Sequence, residues 1–195
     1  GLPIVAFSYQ DSTGPGAGNE RSNLAVVHCG NPSCSANNHT EVVVSGTLNV
    51  LASSYTVEPS YYGMANRIII GSDGFPFLTY WKEYRLNFLQ YQVELKGMHC
   101  GNIDCTAGNT TTSLSPLIPQ SPSGGFHSLA IGADGFPVIS YHMETLTPGG
   151  SAEQRVIKCG THDCASFTVA TLDSDGFAGA LYKSNIVGIN AQGNP

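Results

Sequence analysis

One phrase dominates this chain: Leu129-Ala130-Ile131-Gly132-Ala133-Asp134-Gly135-Phe136-Pro137-Val138-Ile139-Ser140-Tyr141 also occurs as Ile68-Ile69-Ile70-Gly71-Ser72-Asp73-Gly74-Phe75-Pro76-Phe77-Leu78-Thr79-Tyr80. It reads as a β-hairpin, with an apolar run, a tight Asp-Gly turn and a second apolar run ending on an aromatic. Asp-Gly predicts a turn in which both residues take φ > 0, which glycine allows without strain and Asp tolerates. The second half of the phrase stands at Gly1-Leu2-Pro3-Ile4-Val5-Ala6-Phe7, and the first half at Val187-Gly188-Ile189-Asn190-Ala191-Gln192-Gly193-Asn194-Pro195. Pro3, Pro76, Pro137 and Pro195 hold one phase, at spacings of 73, 61 and 58 residues. Repeats of about this length point to propellers or solenoids.

The repeats fall at about 1–66, 67–127 and 128–195 within a single repeat domain. Strands are expected at Ile4–Tyr9, Leu24–Cys29 and Glu41–Leu48 in the first. The second is expected to place them at Arg67–Ile70, Phe77–Trp81, Tyr91–His99 and Thr110–Leu114. The third is expected to place them at Ser128–Ile131, Val138–His142, Arg155–Cys159 and Phe167–Leu172. Val, Ile, Phe, Tyr and Thr are prominent in them, and Gly, Pro, Asn or Asp mark most breaks. No capped amphipathic helix is legible, and 177–183 is the least strand-like linker. The links at 10–22, 82–90 and 144–154 differ most between repeats, so they are expected to share one face, the usual binding face of a repeat protein.

Six cysteines form three pairs, Cys29/Cys34, Cys100/Cys105 and Cys159/Cys164, with the same short separation. An even count and repeated spacing predict local disulfides and an oxidising, extracellular or cell-surface setting. Metal binding is the rival, because His28 and His99 each precede a cysteine. Lys158 fills that place in the third pair, and a zinc site needs four ligands together. No metal and no cofactor is expected.

These features resemble a repeat family of predicted secreted bacterial proteins, with a G-x-D-G-x-P-V-I-S-Y hairpin, a strand ending in Cys, a close second Cys and a Thr-rich strand. Gly132 to Tyr141 with Cys159 and Cys164 carry the pattern, and the likeness covers nearly the whole chain. The resemblance implies four-stranded β-propeller blades, distantly similar to sialidase-type and lectin propellers, and says less about activity. Gln192 and Asn194 depart from it, replacing the Asp and the Phe.

The expected fold is therefore all-β, with three four-stranded antiparallel propeller-like blades and one blade split between the N- and C-termini. Propellers close with typically four to eight blades. Open strand edges recruit other strands. Leu2, Ile4, Val5 and Phe7 of one copy are expected to pair with Val187 and Ile189 of the next, a heterologous contact that gives a ring or a filament. Two copies would then close a six-bladed ring, and many copies a helical fibre. No signal peptide is visible, which fits a mature chain or a fragment of a longer repeat protein.

Other chemistry is weaker. A net charge of −6 and eight scattered Lys and Arg give no basic stripe for nucleic acid. No run approaches a membrane span of ~20 apolar residues. Asp73, Asp134 and the run 173–176 suggest calcium, but hairpin geometry already explains the first two, and the run lacks the oxygens of a full site. Repeated acids such as Asp104 and Asp163 point to a repeated structural task rather than a glycosidase pair. A sialidase-like site would need clustered arginines, and Arg21, Arg67, Arg85 and Arg155 share no such motif. No G-x-S-x-G occurs, so the chain is read as non-enzymatic. Trp81 is the best single residue for stacking on a sugar, in a runner-up reading as a carbohydrate-binding module with glycan partners. Asn38-His39-Thr40 and Asn109-Thr110-Thr111 are N-glycosylation sequons.

Overall fold

The computed structural model describes residues 1–11, 19–49, 55–58, 66–86, 91–119, 126–144, 152–174 and 186–190. Among them there are only strands and turns, in three antiparallel sheets. Sheet one holds β1 (Ile4–Asp11), β2 (Asn19–His28) and β3 (His39–Asn49) in that order. Sheet two holds β4 (Tyr55–Val57), β5 (Arg67–Ile70), β6 (Pro76–Arg85), β7 (Tyr91–His99), β8 (Thr110–Ser113) and β9 (Ile118–Pro119). Sheet three runs β10 (His127–Ile131), β11 (Pro137–Glu144), β12 (Ala152–Cys159) and β13 (Phe167–Ser174).

The strands expected in the three repeats are all present, three in sheet one and four each in sheets two and three, with β4 and β9 as further short strands in sheet two. Sheet two has six because both its edges are broken in two: β5 and β4 pair with opposite ends of β6, and β8 and β9 with opposite ends of β7. Sheet one has three, because no described strand pairs with the outer edge of β1. The central strands also run further than the apolar pattern predicts. Residues 82–85, expected in a link, continue β6, because β4 on one side and β7 on the other accept their backbone groups. Asp11 and residues 19–22 likewise extend β1 and β2. Residues 12–18, 87–90 and 145–151, where the expected links vary most, and the 177–183 linker lie outside the described residues.

The hairpin turns are not as the Asp-Gly pair predicts. Only Gly74 (φ 85°) and Gly135 (φ 84°) have positive φ; Asp73 and Asp134 do not. The ladder ends at Ile70–Pro76. Gly71 N–H then donates to Phe75 O at 2.8 Å, and Gly74 N–H to Gly71 O at 3.0 Å. The loop is thus one residue longer than the two-residue turn, and needs a single left-handed glycine. Asp contributes its side chain instead: Oδ1 of Asp73 and of Asp134 accepts the backbone N–H two residues on, at 3.1 and 3.2 Å.

The three sheets stack in sequence order. Leu24, Val26, Leu78, Tyr80 and Met98 form one apolar layer between sheets one and two. Phe77, Trp81, Leu95, Ile139, Tyr141 and Ile157 form another between sheets two and three. Strand β6 is buried on both faces by simple alternation, since Leu78 and Tyr80 face sheet one while Phe77 and Trp81 face sheet three.

Candidate functional site

The equal phase of the repeats makes each side chain of one sheet comparable with its counterparts in the others. Leu78 and Tyr80 in β6 correspond to Ile139 and Tyr141 in β11; all four point at the preceding sheet and are at most 2% exposed. Their counterparts in β1 are Val5 and Phe7, which are 47% and 39% exposed. Tyr9 lies two residues on, with its ring centroid 5.7 Å from that of Phe7. Val42 of β3 sits on the same face, because Phe7, Ala25 and Val42 are cross-strand neighbours, and it is exposed too. The opposite face of β1 is conventional core, with Ile4 and Ala6 packed against the layer shared with sheet two. Sheet one therefore presents an apolar face that its two successors have covered. Leu2, just before β1, is exposed.

The edges repeat the contrast. β5 covers the outer edge of β6 from Pro76 to Thr79, and β10 covers that of β11 from Pro137 to Tyr141. The matching stretch of β1 begins at Pro3 and has no strand against it among the described residues. Residues 186–190, which hold Val187 and Ile189, carry no strand assignment within the single chain. The partner edge expected for Val187 and Ile189 belongs to a second copy. Val187 N–H instead donates to Ser128 Oγ of β10 at 3.0 Å. Ser128 points away from sheet two, being one residue from Leu129, which packs toward it. Val138, Ser140 and His142, on that same side of sheet three, are buried. Ala191 lies outside the described residues.

All six cysteines form the three expected disulfides. Each loop is a turn closed by the second cysteine's N–H, at 3.1 Å from the oxygen of Asn31, Asn102 or Thr161. That cysteine then takes a left-handed backbone, with φ of 53°, 55° and 56° at Cys34, Cys105 and Cys164. The two sequon asparagines close the same loops. Asn38 Oδ1 accepts Gly30 N–H at 3.1 Å while its Nδ2 donates to Cys34 O at 2.8 Å. Asn109 does the same with Gly101 and Cys105, at 3.2 and 2.8 Å. Loop closure therefore gives both asparagines a structural role. The cue was present in the sequence as a shared phase after the cysteine pair.

The residues that precede the cysteine pairs are in no group of three or more His, Cys, Asp or Glu side chains placed to hold a metal ion, among the described residues. His28 and the ring of His99 reach the next sheet's disulfide loop, while His99 and Lys158 bond the hairpin aspartate of their own sheet. His28 Nδ1–H donates to Asp104 Oδ1 at 2.6 Å. His99 Nε2–H donates to Asp73 Oδ2 at 2.7 Å, and its ring stacks on His162 at 6.5 Å between centroids. Lys158, the third member, bonds Asp134 Oδ1 at 2.5 Å. The Lys158 hydrogen bond holds the Asp134 carboxyl below its usual range. Burial works against ionisation of Asp73, but bonds from Phe75 N–H and His99 outweigh it and lower its pKa too.

Trp81 is not available to a sugar. It is 1% exposed, and its indole N–H donates to His127 Nδ1 at 3.2 Å inside the layer between sheets two and three. Of the acidic run at 173–176, Asp173 and Ser174 belong to β13, and the rest lies outside the described residues. No helix among the described residues is long and apolar enough to cross a membrane. Comparison with protein-family models, curated proteins and solved structures found no match to this chain.

Proposed function

We propose that this chain is an extracellular structural protein whose sheets act as propeller-like blades and which assembles head to tail, the uncovered face and edge of β1 in one copy completing the series ended by sheet three in another. The observation that carries it is the exposure of Val5 and Phe7, where Leu78, Tyr80, Ile139 and Tyr141 are sealed. Single exposed apolar residues are ordinary on a protein surface, but four on one face beside a bare strand edge form a patch of the kind that marks an interface.

The occupant is a second copy, because the chain carries a segment of matching sequence. Residues 186–190 repeat the phase of β5 and β10. β10 lies beside β5, and Val187 lies beside β10 in turn. The pairings Ile70–Pro76, Ile69–Phe77 and Ile68–Leu78 translate directly into a register between copies. Ile189 falls opposite Pro3, Gly188 opposite Ile4, and Val187 opposite Val5. The contact is heterologous and yields a ring or a filament according to the rotation per copy.

Size-exclusion chromatography and negative-stain imaging test this with the whole chain and with Val5→Lys/Phe7→Lys. Both positions are exposed, so the variant keeps its fold. Rings or filaments from the parent chain and a monomer from the variant are expected. A parent chain that stays a monodisperse monomer overturns the reading.

A further inference from the structure

The sheet-to-sheet junctions within the chain share a second contact, made by the disulfide loops. At the first junction, His28 of sheet one bonds Asp104, in the loop of sheet two, at 2.6 Å. At the second, His99 and Asp73 of sheet two meet the loop of sheet three. The His99 ring stacks on His162, His162 Nδ1 stands 4.0 Å from Asp73 Oδ2, and Thr112 Oγ1 donates to Asp163 O at 3.1 Å. Asp104 and Asp163 hold one place in their loops, as do Ile103 and His162. Each sheet thus carries a seat, beside the residue preceding its first cysteine, for the loop tip of the sheet that follows.

Sheet three has the same seat. Lys158 stands where His28 and His99 stand, Asp134 where Asp73 stands, and Thr168 where Thr110 stands. Here these residues line a cavity of about 290 Å³, together with Gly160 and the side of Phe167. Two of its lining residues, Lys158 and Asp134, hold the places of His99 and Asp73, which His162 meets on sheet two.

We infer that this recess on sheet three receives the Cys29–Cys34 loop of a second copy, with Pro32 and Ser33 in the places of His162 and Asp163. The inference rests on the head-to-tail reading and specifies its second contact. Three features suit the fit. Pro32 and Ser33 are exposed at the loop tip. The recess offers mostly apolar surface, which a proline ring complements. The Lys158 charge is already balanced by Asp134, so it calls for a neutral partner with an acceptor oxygen, and Ser33 is neutral where the internal loops carry Asp.

Two blocking variants test it, P32W on the loop and T168W on the recess. Both positions are exposed, and Ile103 and His162 show that the loop accepts a bulky side chain in place of Pro32. Each variant alone is expected to need at least a tenfold higher concentration to assemble than the parent chain. An equal mixture is expected to give a dimer and nothing larger, because the intact loop of T168W meets the intact recess of P32W once. Single variants that assemble like the parent overturn the recess and leave the β1 contact standing. A mixture as monomeric as its components also overturns it. A parent chain that never assembles removes both readings together.

Discussion

Trp81 of sheet two donates its indole N–H to Nδ1 of His127 in sheet three, and the other ring nitrogen of His127 lies 2.8 Å from Thr79 Oγ1. An indole can only donate, so Nδ1 must accept and Nε2 must carry the proton. The buried imidazole is thereby held neutral and in one tautomer between the two sheets. Trp81→Phe keeps an aromatic ring but removes the donor and leaves a small gap where the indole was buried. It is expected to destabilise the chain by about 1–3 kcal/mol, measured as a lower urea midpoint with an unchanged slope.

Counterpart positions on β1 and β6 are expected to respond in opposite ways. Leu78→Ala opens a cavity in the layer between sheets one and two and should cost roughly 2–5 kcal/mol. Val5→Ala, at an exposed position, should change the stability of the isolated chain by less than about 0.5 kcal/mol. Denaturant titration of the chain at a concentration where it is monomeric reads both. Equal losses would show that the β1 face is covered within one copy.

The left-handed cysteines give a second backbone test. In a Cys159→Ala background, Cys164→Gly is expected to be more stable than Cys164→Ala by about 1 kcal/mol, since only glycine takes φ near 56° without a Cβ clash. Removing that crosslink is itself expected to cost about 2 kcal/mol for so short a loop. Thermal midpoints of the three chains check both numbers.

Asn109→Ala removes the acceptor for Gly101 N–H and the donor to Cys105 O. Each such bond is worth about 1 kcal/mol net, so a loss of roughly 1–2 kcal/mol is expected by denaturation. Asn109→Gln keeps the amide but not its reach, and should recover little. Intact mass of the chain expressed through a glycosylating secretory route decides separately whether Nδ2 also carries sugar.

Acid should weaken the fold through three aspartates. The pKa values of Asp73, Asp134 and Asp163 all lie below the ordinary 3.8 in the folded chain, the last held down first by the Thr161 hydroxyl. The unfolded chain binds more protons in that range, so stability rises with pH there and is lost as pH falls below about 4. Thermal midpoints taken from neutrality down to about pH 2 should be flat and then drop, and the drop should be shallower in Asp73→Asn.

Much of the architecture is legible in the residues because it depends on local rules. Turn glycines at 74 and 135, the cysteine spacing and the runs of β-branched residues each act over a few positions, and they place most of the strands. What escapes is set by neighbours far along the chain. Residues 82–85 look like a polar link because alternation alone does not reveal that β4 and β7 flank them. Trp81 looks like a surface aromatic because it ends an apolar run, yet its phase matches Phe77 and turns it toward sheet three. Backbone preference alone misses the part played by the turn aspartates, whose carboxylates accept the N–H two residues on. The candidate site was legible as a mismatch of strands, but the loop seats were not, because His28 and Asp104 are paired only once two sheets are laid face to face.

All three sheets are stacked facing one way, and this has a kinetic consequence. A polymer built from such a unit has a direction: one extremity always offers Val5 and Phe7, the other always offers the Lys158 recess. Growth and shedding at the two extremities are then separate reactions with separate rate constants, and an agent that seals one leaves the other free to extend.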